Sequence, residues 1–145
     1  MSLHLLKLCV GADSIRDLET WIAERLAARR RAKEPLEHVH TTRMAPKRAL
    51  ELLDGGSLYW VIKGQIAARQ DLLDLRPFID SDGVSRCHLV MEPKLVPVWA
   101  RACRPFQGWR YLKAHEAPAD LGSDGAHGAH LPEALRLELR QLGLL

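Results

Sequence analysis

The sequence predicts an α+β fold, in which two helices and a C-terminal helix pack against a small antiparallel β-barrel or half-barrel. Two observations favour this class. Helical patterns are confined to the first third of the chain and to residues 131–145, whereas strand-like segments follow one another from residue 57 to residue 113 with only turns between them. Successive strands of this kind form antiparallel sheets that curl, while a parallel doubly wound sheet needs helices between its strands.

The composition indicates one globular domain. The chain has 145 residues, of which 47% are hydrophobic and 27% are charged. It lacks a run of about 18 apolar residues, so we expect neither a transmembrane helix nor a membrane partner. The chain opens without the basic region that precedes the apolar part of a signal peptide. Three widely spaced cysteines do not make a disulfide framework, which predicts a cytoplasmic protein.

The first strand and the first helix are marked by their local sequence. The apolar run LHLLKLCV (residues 3–10) ends at Gly11 and predicts a strand. Asp13 or Ser14 can cap the helix that follows, because a short polar side chain accepts a hydrogen bond from the first turn. The apolar residues of this helix recur with helical spacing: Ile15, Leu18, Ile22 and Leu26.

A second strand and a second helix follow. The β-branched segment HVHTTRM (residues 38–44) lies between Pro35 and Pro46 and predicts a strand. Pro46 suits the first turn of a helix, so PKRALELLD (residues 46–54) predicts a short helix that ends at the pair Gly55–Gly56.

The remainder of the core is predicted to be β-structure. The tetrad Asp80–Gly83 is typical of a tight turn between two of the strands. Prolines and a glycine punctuate the last segment, which favours an edge or bent strand there. The strand segments are residues 57–64, 68–80, 85–93 and 94–113.

The chain divides into three predicted parts. Residues 1–116 form the α+β core, residues 117–130 form a flexible linker rich in Gly, Ala and Asp, and residues 131–145 form a C-terminal helix. In that helix the apolar stripe consists of Leu135, Leu139 and Leu142.

No motif identifies a reaction. The sequence lacks a phosphate loop, a dinucleotide fingerprint, a nucleophile elbow and the zinc motif HExxH. The residues that could bind a metal are scattered without paired spacing, so we predict neither a metal nor a cofactor. They are His38, His40, Cys87, His88 and Cys103.

Positive charge is concentrated in two segments although the net charge is only +3. Residues 25–48 contain eight Lys or Arg against two acidic residues, and residues 86–113 contain six against one. Arginine dominates both segments, and its planar guanidinium binds phosphate and stacks on bases. Aromatic residues interleave with these cations, which is the combination that single-stranded nucleic acid requires.

The sequence therefore predicts a nucleic-acid-binding module, with RNA favoured over DNA. Seven cations are predicted to contact phosphates or bases: Arg43, Lys47, Arg48, Lys63, Arg69, Arg104 and Arg110. Three aromatic residues are predicted to stack on bases: Tyr59, Trp109 and Tyr111. Two amides are predicted to recognise a base edge: Gln70 and Gln107.

Two other functions remain open. One is a small hydrolase for a nucleotide-like or phosphorylated substrate, with His40, Lys63 or His88 as the acid or base. The other is a structural or partner-binding protein that uses the leucine stripe of residues 131–145. The sequence leaves the oligomeric state open.

Three stretches resemble an uncharacterised bacterial family, a domain of unknown function found chiefly in alphaproteobacteria. They are GGSLYWVIKGQIAARQ (55–70), EPKLVPV (92–98) and RPFQGWRYLK (104–113). The resemblance extends over residues 3–113 and implies no catalytic residue, because the family has no established activity.

The order of elements is also similar to the pseudo-barrel of PUA-like domains, including the ASCH branch associated with RNA. ASCH domains carry a glycine after the helix, then a Lys and a Glu-x-Arg. Gly56, Lys63 and Arg69 are present here, but their spacing differs and the glutamate is missing. This likeness implies an architecture and no function.

Overall fold

Seven strands and two α-helices make up the part of the chain that the computed structural model describes, residues 3–104 and 106–121. Their order is β1 Leu3–Leu8, α1 Ile15–Arg31, β2 His38–Thr42, α2 Ala49–Leu53, β3 Ser57–Ile62, β4 Gln65–Ile79, β5 Ser85–Met91, β6 Val96–Ala102, β7 Trp109–Lys113 and a 3-10 turn Ala114–Glu116. The α+β class is confirmed. No helix in these ranges combines the length and the apolar character needed to cross a bilayer.

The helix boundaries follow from local hydrogen bonds. Ser14 caps α1, because its side chain accepts a hydrogen bond of 3.1 Å from the backbone N–H of Asp17. The second helix begins at Ala49, so the predicted start at Pro46 is wrong. The backbone N–H groups of Lys47 and Arg48 donate to a side chain of β7 instead, and Arg48 has non-helical dihedral angles.

The sheet is mixed, so the prediction of an entirely antiparallel sheet is wrong. Its strand order is β2-β5-β4-β3-β1-β7, and β6 pairs with β4. Strands β1 and β3 are parallel, because the chain passes through α1, β2 and α2 between them. The other pairs are antiparallel. The long strand β4 pairs with β6 over its first part and with β5 over its second.

The sheet curves strongly without closing into a barrel. The rings of His40 on β2 and Trp60 on β3 lie 5.4 Å apart, centroid to centroid. In a flat sheet these strands would be about 14 Å apart, because β5 and β4 lie between them. The end strands β2 and β7 do not pair with each other, so of the two predicted forms, barrel or half-barrel, the closed barrel is wrong.

Each face of the sheet carries its own apolar cluster. The concave face bears Leu5 and Trp60, which pack with Leu18 and Ile22 of α1. The convex face bears a smaller cluster made of Leu6, Tyr59, Val61, Ile66, Val98, Phe106 and Leu112. A side chain on β1, β3 or β7 therefore faces one of two different environments, according to its position in the alternation.

Residues 117–121 fall at the start of the predicted linker but pair with β6. The backbone N–H of Trp99 donates to the carbonyl of Ala119 at 3.0 Å, and Leu121 donates to Pro97 at 3.1 Å. Residues 122–130 and the predicted helix at 131–145 lie outside the described residues. The division of the chain at residue 116 stays a prediction.

Candidate nucleic-acid interface

Two aromatic side chains of β7 hold the loop that follows β2. The indole N–H of Trp109 donates to the carbonyl of Met44 at 2.9 Å. The hydroxyl oxygen of Tyr111 accepts hydrogen bonds from the backbone N–H groups of Lys47, at 3.0 Å, and Arg48, at 3.2 Å. We call residues 43–48 together with 109–111 the seam. It joins the two end strands of the sheet by side-chain contacts, where a closed barrel would have a backbone ladder.

The seam brings the two basic segments of the sequence together. Arg43 and Lys47 are exposed, and neither forms an ion pair within residues 3–104 and 106–121. Arg48 forms an ion pair with Glu51, and its guanidinium lies 5.5 Å from the centre of the Tyr111 ring. Two cations of the loop are therefore available to an anionic ligand, while the third is partly neutralised.

Further predicted residues lie on the other side of β7. Arg110 alternates with Trp109 and Tyr111, and its guanidinium lies 4.9 Å from the centre of the Phe106 ring on the convex face. Arg104 and Gln107 are exposed in the preceding loop. Because β7 is an end strand, both of its sides border the same edge of the sheet.

No described contact connects Lys63 with the residues of the seam. It is exposed in the turn between β3 and β4, where its φ is +50°. A positive φ is unusual for a residue with a side chain, and here it allows the tight turn that Gly64 completes.

Two of the other residues predicted to bind nucleic acid use their side chains in contacts within the protein. Tyr59 is only 4% exposed and packs edge-on against His4 in the convex cluster, so its ring offers no surface for a base. Arg69 binds Asp120 through two hydrogen bonds of 2.7 Å and also contacts Asp71 and Ser57. These bonds attach residues 117–121 to the sheet and raise the pKa of Arg69. We exclude both residues from the interface.

Gln70 lies at the centre of a buried hydrogen-bond network. Its Oε1 accepts from Trp60 Nε1 at 2.9 Å and contacts His38 Nδ1 at 3.1 Å, and its Nε2 donates to the Glu92 carbonyl at 2.9 Å. Because Oε1 can only accept, the neutral His38 ring carries its proton on Nδ1. Gln70 is fully buried, and we exclude it from the interface.

The buried histidines make stability depend on pH. Burial lowers the pKa of His38 from 6.5 to about 4, and that of His40 to about 4. The unfolded chain therefore binds protons at a higher pH than the folded protein. The free energy of unfolding is at its full value above pH 6.5 and falls as the pH decreases toward 4, by up to about 3 kcal/mol for His38.

Urea denaturation at several pH values between 7 and 4 measures this decrease. Replacing His38 with methionine is expected to make the curve shallower in that window, where the buried His40 still contributes to its slope, and His115→Gln, at an exposed position, is the control. A free energy of unfolding that stays constant from pH 6.5 to 4 in the unmodified protein contradicts the neutral buried state of His38.

The acid–base groups of the hydrolase alternative lie apart. His40 packs on Trp60 at the concave face, whereas Lys63 is exposed in its turn. His88 contacts the Thr41 hydroxyl through Nδ1 at 3.0 Å and stacks on Phe78. Within the described ranges, no three His, Cys, Asp or Glu side chains are grouped so as to hold a metal ion.

A shallow cavity of about 420 Å³ opens beside the first turns of α1. Its polar lining comes from Asp17, Thr20 and Glu24, and Trp21 supplies an aromatic wall. The carboxylates of Asp17 and Glu24 repel a phosphate, so this cavity does not extend the interface.

Lys7, which the sequence analysis did not single out, lies half-buried on the concave face.

Comparison with known proteins gives one match. A family model described as "Protein of unknown function (DUF1489)" matches residues 5–145. No curated protein and no solved structure matches the chain.

Proposed function

The chain belongs to the DUF1489 family of proteins of unknown function, and from the geometry of the seam we propose that it binds nucleic acid there, with single-stranded RNA as the preferred ligand. The predicted resemblance to a family of unknown function is confirmed by the match. The motifs quoted for that family, its bacterial distribution, the PUA-like architecture and the cytoplasmic location stay predictions.

One observation supports the proposal above the others. Hydrogen bonds from Trp109 and to Tyr111 fix the backbone of residues 44–48 against an end strand of the sheet. A loop held in this way presents its cations in a set geometry, and such preorganisation lowers the entropy lost on binding. The side chains of Arg43 and Lys47 then project from a fixed backbone.

The chemistry of the exposed residues suits a single strand. Arg43, Lys47 and Arg104 supply positive charge for phosphates. The half-buried rings of Trp109 and Tyr111 lie beside Met44, which is 66% exposed, and together they offer an apolar surface for a base. Single-stranded RNA is the nucleic acid whose bases are free to stack on such a surface.

Fluorescence anisotropy with a labelled single-stranded RNA tests the proposal. The double variant Arg43→Ala/Lys47→Ala is expected to weaken binding by at least about tenfold at low salt, because two phosphate contacts are lost. The control is Arg30→Ala/Arg31→Ala, which removes two exposed cations from the end of α1 and the same total charge.

The control separates a local site from general attraction. If both double variants lose the same affinity, net charge and not the seam determines binding. If the unmodified protein does not bind RNA at low salt, the proposed function is wrong. Tyr111→Phe refines the test, because it keeps the ring and removes the acceptor that holds Lys47 and Arg48.

A further inference from the structure

Helix α2 presents two leucine side chains to solvent. Leu50 is 88% exposed and Leu53 is 36% exposed, and their spacing of three residues places them on the same side of the helix. Leu52, on the other side, is fully buried in the concave cluster. We call Leu50 and Leu53 the α2 face. A single exposed leucine is ordinary on a protein surface, whereas two on one side of a five-residue helix form an apolar strip that a further element can cover.

A third exposed leucine lies at the same end of the sheet. Leu73 on β4 is 50% exposed and follows Leu72, whose backbone N–H donates to the Gly56 carbonyl at 3.0 Å. The N–H of Gly56 in turn donates to the Leu52 carbonyl of α2 at 2.9 Å. These two bonds attach the part of β4 next to Leu73 to the end of α2, so the apolar surface at this end includes residues of both elements.

The last described residues of the chain are attached close to this end of the sheet. Asp120 binds Arg69 through two hydrogen bonds of 2.7 Å, and Nη1 of Arg69 contacts Ser57 Oγ at 3.0 Å. Ser57 is the first residue of β3, and Gly56 before it is bonded to Leu52 of α2. A continuous set of contacts therefore connects Asp120 with the end of α2.

The direction of the chain also leads toward α2. Ala119 is bonded to Trp99 and Leu121 to Pro97, so residues 119–121 run antiparallel to β6. Because β6 and β3 are both antiparallel to β4, these residues run along β4 toward the start of β3, which α2 precedes. The cavity beside Val10 follows the end of β1, and β1 is parallel to β3, so this cavity lies at the opposite end of the sheet.

The sequence that follows residue 121 can cover the α2 face. Residues 131–145 carry the predicted apolar stripe of Leu135, Leu139 and Leu142, and the family model extends over this segment to residue 145. The nine residues 122–130 span up to ~30 Å when extended, which is ample between neighbouring elements of one domain. The charged residues of the segment balance one another, so apolar contact and not charge would hold it: Glu133, Arg136, Glu138 and Arg140.

We propose that residues 131–145 pack as an amphipathic helix on the α2 face of their own chain, with Leu73 at the border of the contact. This is the helix-on-apolar-surface mode of recognition, used within one molecule. A short flexible connection gives the attached segment an effective concentration on the order of millimolar, which favours it over a second copy of the chain. The contact does not depend on nucleic-acid binding at the seam.

Photo-crosslinking in the full chain tests the proposal. Leu50→p-benzoylphenylalanine places a photoreactive ring on the α2 face, and Val10→p-benzoylphenylalanine, at a position that is 80% exposed, is the matched control at the opposite end of the sheet. After irradiation at micromolar concentration, mass spectrometry is expected to find crosslinks from position 50 to residues 131–145 of the same chain, several-fold more abundant than from position 10. Equal yields from the two positions, no crosslink from position 50, or crosslinks between two chains overturn the proposal.

Substitutions in the segment identify the side that makes the contact. Leu139 lies in the middle of the stripe, whereas Leu137 falls on the opposite side of the same predicted helix. Leu139→Asp is expected to reduce the crosslink from position 50 several-fold and to speed hydrogen exchange of the backbone amides of α2, while Leu137→Asp changes neither. Circular dichroism checks that both variants keep the fold. Equal effects of the two substitutions overturn the assignment of the leucine stripe.

Discussion

Replacing Gly56 with alanine is expected to destabilise the protein by more than about 3 kcal/mol, because the added methyl group overlaps two backbone atoms. A Cβ at this position would lie 2.2 Å from the carbonyl oxygen of Leu52 and 2.3 Å from that of Leu3. Neither atom can move without shifting α2 or β1. Gly56 also pairs through its own backbone with Leu52 and Leu72, so it cannot move away either.

Gly83→Ala is the matched control for this substitution. Gly83 has a φ of +79° and nothing within 4 Å of an added Cβ, so its replacement costs only the strain of a left-handed alanine, about 1 kcal/mol. Urea denaturation of both variants measures the difference. Equal losses at the two positions would mean that α2 and β1 do not approach each other as described.

Replacing Gln70 with leucine is expected to destabilise the protein by on the order of 4 kcal/mol, because two buried polar groups and one partly buried group lose their partner at once. These groups are the Trp60 indole N–H, the His38 ring N–H and the Glu92 carbonyl. The side chains are similar in size, so loss of hydrogen bonds and not a cavity dominates the effect. Thermal or urea denaturation measures it.

The control is Gln65→Leu, a half-buried amide at the start of the same strand, which is expected to cost less than about 1 kcal/mol. A loss for Gln70→Leu no larger than that of the control contradicts the network. Folded Gln70→Leu protein is also expected to bind RNA as the original does, since Gln70 lies in the core and not at the seam.

The elements of the fold could be predicted where their signals are local. Ser14 caps α1 through a bond within four residues, and the turn at Asp80–Gly83 forms its own hydrogen bond. Pairing between distant strands leaves no such local signal. The parallel pair β1–β3 and the division of β4 between β5 and β6 depend on contacts across the whole chain, so the mixed, open sheet could not be read from the pattern.

The positions of the charged residues in the candidate site could be predicted from the sequence, but the face of the sheet on which each side chain lies could not. The density of Arg and Lys in residues 43–48 and 104–113 is visible in the sequence. Alternation tells which side chains share a face, but both faces of this sheet are covered by apolar clusters. Tyr59 and Gln70 consequently lie in the interior, while Tyr111, the same residue type as Tyr59, holds the seam.

The salt dependence of RNA binding tests the central claim most directly. For the unmodified protein, log K is expected to fall linearly with log salt, and removal of Arg43 and Lys47 is expected to reduce the steepness by about 0.7 for each cation. The Arg30→Ala/Arg31→Ala control keeps the original slope. An absence of binding at low salt, or identical slopes for all three proteins, contradicts a nucleic-acid site at the seam.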